Sequence, residues 1–133
     1  MSHRNKTVGY YQKIYRDLSK SKITCVALGN QVIVCNAVGF KHLLWKGLRR
    51  RKMRDVMSRL CLLQNVSRIL RSNDVFVECR THKTKESTVH YWGITKNIRD
   101  APITVVIRQI GGGKKHFYSI FKRQKTYKTK TPH

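Results

Sequence analysis

Apolar positions follow a helical period up to a turn cluster at Ser72-Asn73-Asp74 and a period of two beyond it, with one β-branched interruption in the first half. Tyr10, Tyr11, Ile14, Tyr15 and Leu18 recur at helical spacing and predict a short amphipathic helix ending near Ser19. Ile23–Leu28 and Gln31–Cys35 are β-branched runs flanking Gly29-Asn30, which predicts a two-residue hairpin. A helical pattern resumes at Gly39 and places His42, Leu43 and Trp45 in a short helix stopped by Gly47. A longer helix is expected from Lys52, with Met53, Val56, Met57, Leu60 and Leu63 on one stripe and Val66, Ile69 and Leu70 continuing it.

Beyond the turn cluster the alternation predicts strands at Val75–Arg80, Thr88–Gly93, Ile103–Ile110 and Lys115–Lys122. Thr81–Ser87 is expected as a polar loop and Gly111-Gly112-Gly113 as a hairpin. Short connections favour an antiparallel meander. The fold class is therefore α+β: an N-terminal helix and hairpin, two central helices, then a four-stranded antiparallel sheet. Residues 1–8 are expected to be disordered, 9–122 to form a single domain, and 123–133 to be a basic flexible tail. Alternation assigns Ile103, Val105, Ile107, Phe117 and Phe121 to the core. It assigns Thr104, Arg108, His116, Tyr118 and Lys122 to the opposite face, joined by Arg80, His90 and Trp92; Val89 and Tyr91 fit either side.

Charge then narrows the partner. Lys and Arg number 29 against 6 acidic residues, a formal net charge of +23 on 133 residues. Self-repulsion on that scale points to a polyanion, and nucleic acid fits because each neutralised phosphate releases a counterion. No apolar run approaches the ~20 residues of a membrane span, and the N-terminus has no secretory core. A cytoplasmic location, or delivery into a target-cell cytoplasm, is expected, with no membrane partner. Cys25, Cys35, Cys61 and Cys79 form no C-x-x-C pair, and three lie in apolar runs, so they read as small buried hydrophobes.

The six acids, Asp17, Asp55, Asp74, Glu78, Glu86 and Asp100, form no D-x-D or D-x-E cluster, which disfavours two-metal nuclease chemistry. Asp17 and Asp55 read as helix-surface charges, Asp74 and Asp100 as turn residues. Gly111–Lys115 lacks P-loop spacing and joins strands rather than opening a helix. Cofactor-free, metal-free chemistry remains. RNA is cleaved by its own 2′-OH when a base deprotonates it, an acid protonates the leaving oxygen, and cations hold the phosphate. His42, His90 and His116 are the candidates for base and acid. Arg80 and Arg108 are candidates for phosphate stabilisation and Ser119 for a phosphate contact. Arg49, Arg50, Arg51, Lys52, Lys114, Lys115, Lys122 and Arg123 are candidate phosphate contacts, and Tyr118 a base-stacking group.

The strand-to-helix segment Gln31-Val-Ile-Val-Cys-Asn…Phe40-Lys-His42-Leu-Leu resembles the opening of phage-associated and polymorphic-toxin ribonucleases of the Barnase–EndoU–colicin–RelE superfamily. Ile69-Leu-Arg-Ser-Asn-Asp-Val-Phe76 is similar to the segment that leads into their sheet, with Ser72-Asn73 where Asn-Pro is common. Pro102-Ile-Thr-Val-Val-Ile-Arg108 and His116-Phe-Tyr-Ser119-Ile-Phe resemble their last two strands. The resemblance spans about residues 23–124. It implies a metal-independent endoribonuclease of toxin type, acting on tRNA or another structured RNA and countered by an acidic immunity protein or antitoxin. It carries over to His42, Arg108, His116 and Ser119. The Glu–His pair of the barnase branch has no clear counterpart here, and the EndoU set of two histidines and a lysine fits no unique residues. The alternatives are a non-catalytic RNA-binding or ribosome-associated protein and an architectural DNA-binding protein.

Overall fold

The computed structural model describes residues 7–123. The expected terminal segments otherwise lie outside the described residues. Helix α1 (Val8–Lys20) starts at Thr7, whose hydroxyl accepts from the Tyr10 amide. Its apolar stripe buries Tyr11 and Tyr15, while Tyr10 stays exposed. The Tyr15 hydroxyl donates to the Asn36 carbonyl at 2.6 Å. Asn36 in turn caps α2 (Ala37–Leu44), its Oδ1 accepting from the amides of Val38 and Gly39. The two helices are thus tied at one residue.

Strands β1 (Ile23–Cys25) and β2 (Gln31–Ile33) pair antiparallel as expected, but the turn is wider than two residues. A 3-10 turn over Val26–Leu28 precedes Gly29 and Asn30, both at positive φ. After α2 the chain forms a small hairpin, β3 (Trp45–Lys46) with β4 (Arg49–Arg50). Gly47 therefore turns a hairpin rather than simply ending a helix, its φ of 63° suiting the first position of a two-residue turn. Trp45 is half-buried with the Arg50 guanidinium 5.8 Å from its ring centroid.

The long central helix is two helices, α3 (Met53–Leu60) and α4 (Val66–Arg71), separated by a 3-10 turn at Leu63–Asn65. Val56, Leu60, Leu63, Val66, Ile69 and Leu70 are all fully buried, while Met53 is exposed. The apolar stripe continues through the break, so periodicity could not reveal it. Each of these buried side chains stabilises the fold by roughly 1.5–3 kcal/mol. Of the cysteines, Cys25 and Cys35 are buried and Cys61 and Cys79 exposed.

The rest of the chain is the expected antiparallel meander, β5 (Phe76–Lys83), β6 (Thr88–Ile98), β7 (Ala101–Ile110) and β8 (His116–Lys122), in that order. Thr81–Lys83 extend β5, and β6 runs five residues past Gly93 to a two-residue turn at Arg99-Asp100, both at positive φ. Helices α2 and α3 pack against β8, and α4 against β6 and β7. They cover Ile94, Ile98, Ile103, Val105, Ile107, Phe117 and Ile120. Among the described residues no helix is long and apolar enough to cross a membrane.

Registers settle the faces, because paired residues of an antiparallel ladder point the same way. Arg80, Tyr91 and Arg108 are in line across β5, β6 and β7, as are Glu78, Gly93 and Val106. His90 and Trp92 alternate with Tyr91 and so belong to the other face, against expectation. A bulge corrects β8: Val106 pairs with Ser119 but Ile107 with Phe117, leaving Tyr118 as the extra residue. Alternation slips there by one position. Ile120 joins the core in place of Phe121, which turns to the open face beside Ser119.

Candidate active site

Gly39 seats α2 on β8. A Cβ there would lie 2.5 Å from the Phe117 carbonyl oxygen and 2.6 Å from the Tyr15 hydroxyl. Only glycine permits this approach, and it carries His42, one turn further along α2, over the bulged Tyr118. The two rings are 4.0 Å apart between centroids and inclined by 32°. Tyr118 also meets the Arg108 guanidinium, 4.5 Å from its ring centroid, and the Tyr91 ring, edge to face with centroids 5.5 Å apart.

Helix α3 supplies the rest. Arg51, just before it, donates from Nε to the His42 carbonyl at 3.0 Å and from Nη1 to Asp55 at 3.1 Å. Arg59 donates to the second Asp55 oxygen at 3.0 Å and, through Nη1, to Ser119 Oγ at 2.8 Å. Asp55 therefore holds two guanidiniums in place, a role its reading as a surface charge missed. The spacing 51, 55, 59 is the signal that could have revealed it, since residues four apart share one helix face. Arg108 donates from Nε to His116 Nε2 at 3.0 Å. His116 is thereby engaged as the acceptor that orients Arg108.

Burial and these cations together set the electrostatics. Burial, then Arg51, Arg59 and Arg108, push His42 down to about 4, so the imidazole is neutral near pH 7. Its Nδ1 is buried with no hydrogen-bond partner among the described residues, which leaves Nε2 as the ring nitrogen for proton exchange with a ligand. Burial and Arg108 likewise hold His116 below the usual histidine range, opposed by a backbone hydrogen bond at Lys114. Burial works to raise Asp55, but the hydrogen bonds and charges of Arg59 and Arg51 outweigh it and keep the carboxylate ionised. The cluster holds three guanidiniums and one carboxylate, which pairs with two of them, and an incoming anion would relieve their repulsion.

Of the sequence candidates, His42, Arg51, Arg108, His116, Tyr118 and Ser119 converge, and Arg59, Asp55 and Tyr91 join them. Arg80 lies two strands from Arg108 on the same face, along the wall of a groove that starts at Tyr118. Arg123, assigned to the tail, reaches that groove through hydrogen bonds to Thr104 and Glu78. His90 is excluded from the cluster: its Nδ1 is 3.1 Å from Thr81 Oγ1, and its ring neighbours Trp92 on the opposite face. Trp92 carries Lys115, 4.9 Å from its ring centroid, away from the cluster. Arg49, Arg50, Lys52, Lys114 and Lys122 are exposed. The expected Arg49–Lys52 patch thus divides, with Arg51 turned inward and its neighbours outward. Among the described residues no group of three or more His, Cys, Asp or Glu side chains gathers. The chain matches no protein-family model, no curated protein and no solved structure.

Proposed function

We propose that this protein is a metal-independent RNA endonuclease that uses the RNA 2′-OH as nucleophile. The observation that carries the reading is a neutral, half-buried His42 set among Arg51, Arg59 and Arg108. A phosphate drawn into the three guanidiniums brings a 2′-OH toward His42 Nε2, which takes its proton. The 2′-oxygen attacks phosphorus, the P–O5′ bond breaks, and the 5′-oxygen leaves with a proton from water. The products are a 2′,3′-cyclic phosphate and a 5′-hydroxyl. Negative charge on the equatorial oxygens is met by preorganised guanidinium donors, the usual source of the largest catalytic term. His116 acts here as a positioning residue for Arg108. The resemblance to Barnase–EndoU–colicin–RelE ribonucleases supports the same reading. It extends to a structured RNA such as tRNA as substrate and an acidic immunity protein or antitoxin as partner, drawn by the net charge of +23.

The test is a denaturing gel of total bacterial RNA incubated with the purified chain in excess EDTA. Discrete fragments are expected, and a substrate with 2′-deoxy at the cut site should resist. Intact RNA that shifts on a native gel would overturn the catalytic reading and favour a binding protein.

A further inference from the structure

We infer that the open groove next to the Arg–His cluster is a nucleobase subsite selective for bases bearing an exocyclic amine. It rests on the reading of that cluster as an RNA site. The groove has a volume of about 570 Å³ and is lined by Glu78, Arg80, Tyr91, Tyr118, Phe121 and Arg123, among others. Tyr118 belongs to both, so the groove begins where the phosphate site ends. From β8 to β5 it crosses three strand spacings, roughly 14 Å at about 4.8 Å each.

Its lining is unlike the cluster. Tyr91 offers aromatic surface on which any base can stack, beside Tyr118 and Phe121, whose rings already carry His42 and Arg108 and, for Phe121, Arg59 and Arg123. Gly93 leaves the floor between them bare: a Cβ there would project toward Thr104 Cγ2 at 3.5 Å, Glu78 Oε1 at 3.8 Å and Arg123 Nη2 at 3.9 Å. At that point the groove carries a carboxylate, in a chain with only 6 acids. Glu78 is ion-paired with Arg123, whose Nε donates to Thr104 Oγ1 at 2.9 Å and Thr95 Oγ1 at 3.4 Å. Those two hydroxyls are bonded to each other at 2.7 Å, so the carboxylate has a fixed support.

Glu78 offsets the charge of Arg123, which leaves this end of the groove less cationic than the Arg51–Arg59–Arg108 cluster and suited to the uncharged part of a nucleotide. Adenine, cytosine and guanine each present an amine that a carboxylate accepts from. Uracil has no amine; its one edge donor, N3–H, lies between two carbonyl oxygens, so a carboxylate that reaches it also meets a carbonyl oxygen and binds it less well.

The experiment measures anisotropy of the full chain with labelled 2′-O-methyl oligo-A, oligo-C and oligo-U at one fixed salt concentration. Wild type should bind oligo-A and oligo-C about tenfold more tightly than oligo-U. Glu78→Gln, which keeps shape and hydrogen bonding, should bring the three within about twofold by raising oligo-U affinity. Gly93→Ala, whose Cβ covers the floor at ordinary contact distances, should lower oligo-A and oligo-C toward oligo-U. Equal wild-type affinities, or discrimination unchanged in both variants, would overturn the subsite. These oligonucleotides cannot be cleaved through a 2′-OH, so discrimination with RNA left intact in EDTA would sink the nuclease alone. Cleavage without discrimination would sink the subsite alone.

Discussion

The imidazole of His42 lies over the ring of Tyr118, a helix residue stacked on a bulged strand residue with centroids 4.0 Å apart. Tyr118 in turn contacts Arg108, and Arg51 holds the backbone carbonyl of His42, so imidazole and guanidiniums share one scaffold. His42→Ala should reduce cleavage by at least about a hundredfold, the lower end of what general-base catalysis supplies, with RNA affinity nearly unchanged. His90→Ala is the matched control, and it should cleave like wild type. A gel-based rate assay beside a filter-binding titration separates the two effects; equal losses in both variants would refute the assignment.

The Arg59–Ser119 bond joins α3 to β8 across sixty positions of sequence. Arg59→Gln should lower kcat by about a hundredfold or more, as loss of one preorganised donor does. Ser119→Ala should cost far less, because Asp55 still holds Arg59. Asp55→Asn should weaken cleavage while slightly tightening RNA binding, since it removes a negative charge but also the fixture of two arginines. Single-turnover kinetics against a titrated affinity reveals that split.

Cleavage should depend on pH through His42 in an unusual range. The base is active when neutral, so in the free enzyme kcat/KM should fall on the acid side only near pH 4, where His42 takes up its proton. Arg59→Gln removes one of the charges holding it down, so the acid limb should move to higher pH. An acid limb that stays put in this variant would show that Arg59 does not act on the base.

Folding stability should follow the same imidazole. Between the ordinary 6.5 and about 4, the unfolded chain binds a proton at His42 that the folded chain does not. Stability therefore rises with pH across that window and is lost as pH falls through it, with His116 adding in the same sense. Asp55, held low, adds its own loss only as pH falls through and below the carboxylate range. Thermal melts at pH 7.5 and 4.5 should show a smaller drop in Tm for His42→Gln than for wild type.

Gly39→Ala should destabilise the protein by about 1–3 kcal/mol, the usual cost of overpacking. The clash is with the Phe117 backbone, so α2 must lift from β8 and carry His42 off Tyr118. Urea denaturation gives the first effect. The second would appear as lost cleavage under conditions where the variant is fully folded.

Much of this architecture is local information and was legible. The helix of Tyr11 and Tyr15, the meander and the triglycine hairpin each follow from periodicity or turn residues within a few positions. The break between α3 and α4 was hidden because a 3-10 turn kept Leu63 on the buried stripe. The tail end of β6 was hidden because Arg99-Asp100 lacks the glycine that commonly marks such a turn.

The site divides along the same line. Composition alone determined that the chain is strongly cationic, and alternation alone put Arg108 on an open face. Which cations meet was decided by contacts distant in sequence: Gly39 against Phe117, Arg59 against Ser119, Arg123 against Glu78. The bulge at Tyr118 mattered most. One extra residue in a strand reverses every side chain beyond it, and that reversal brings Ser119 and Phe121 to the open face. It is fixed by the partner strand and the helix packed above, which no count along the sequence contains.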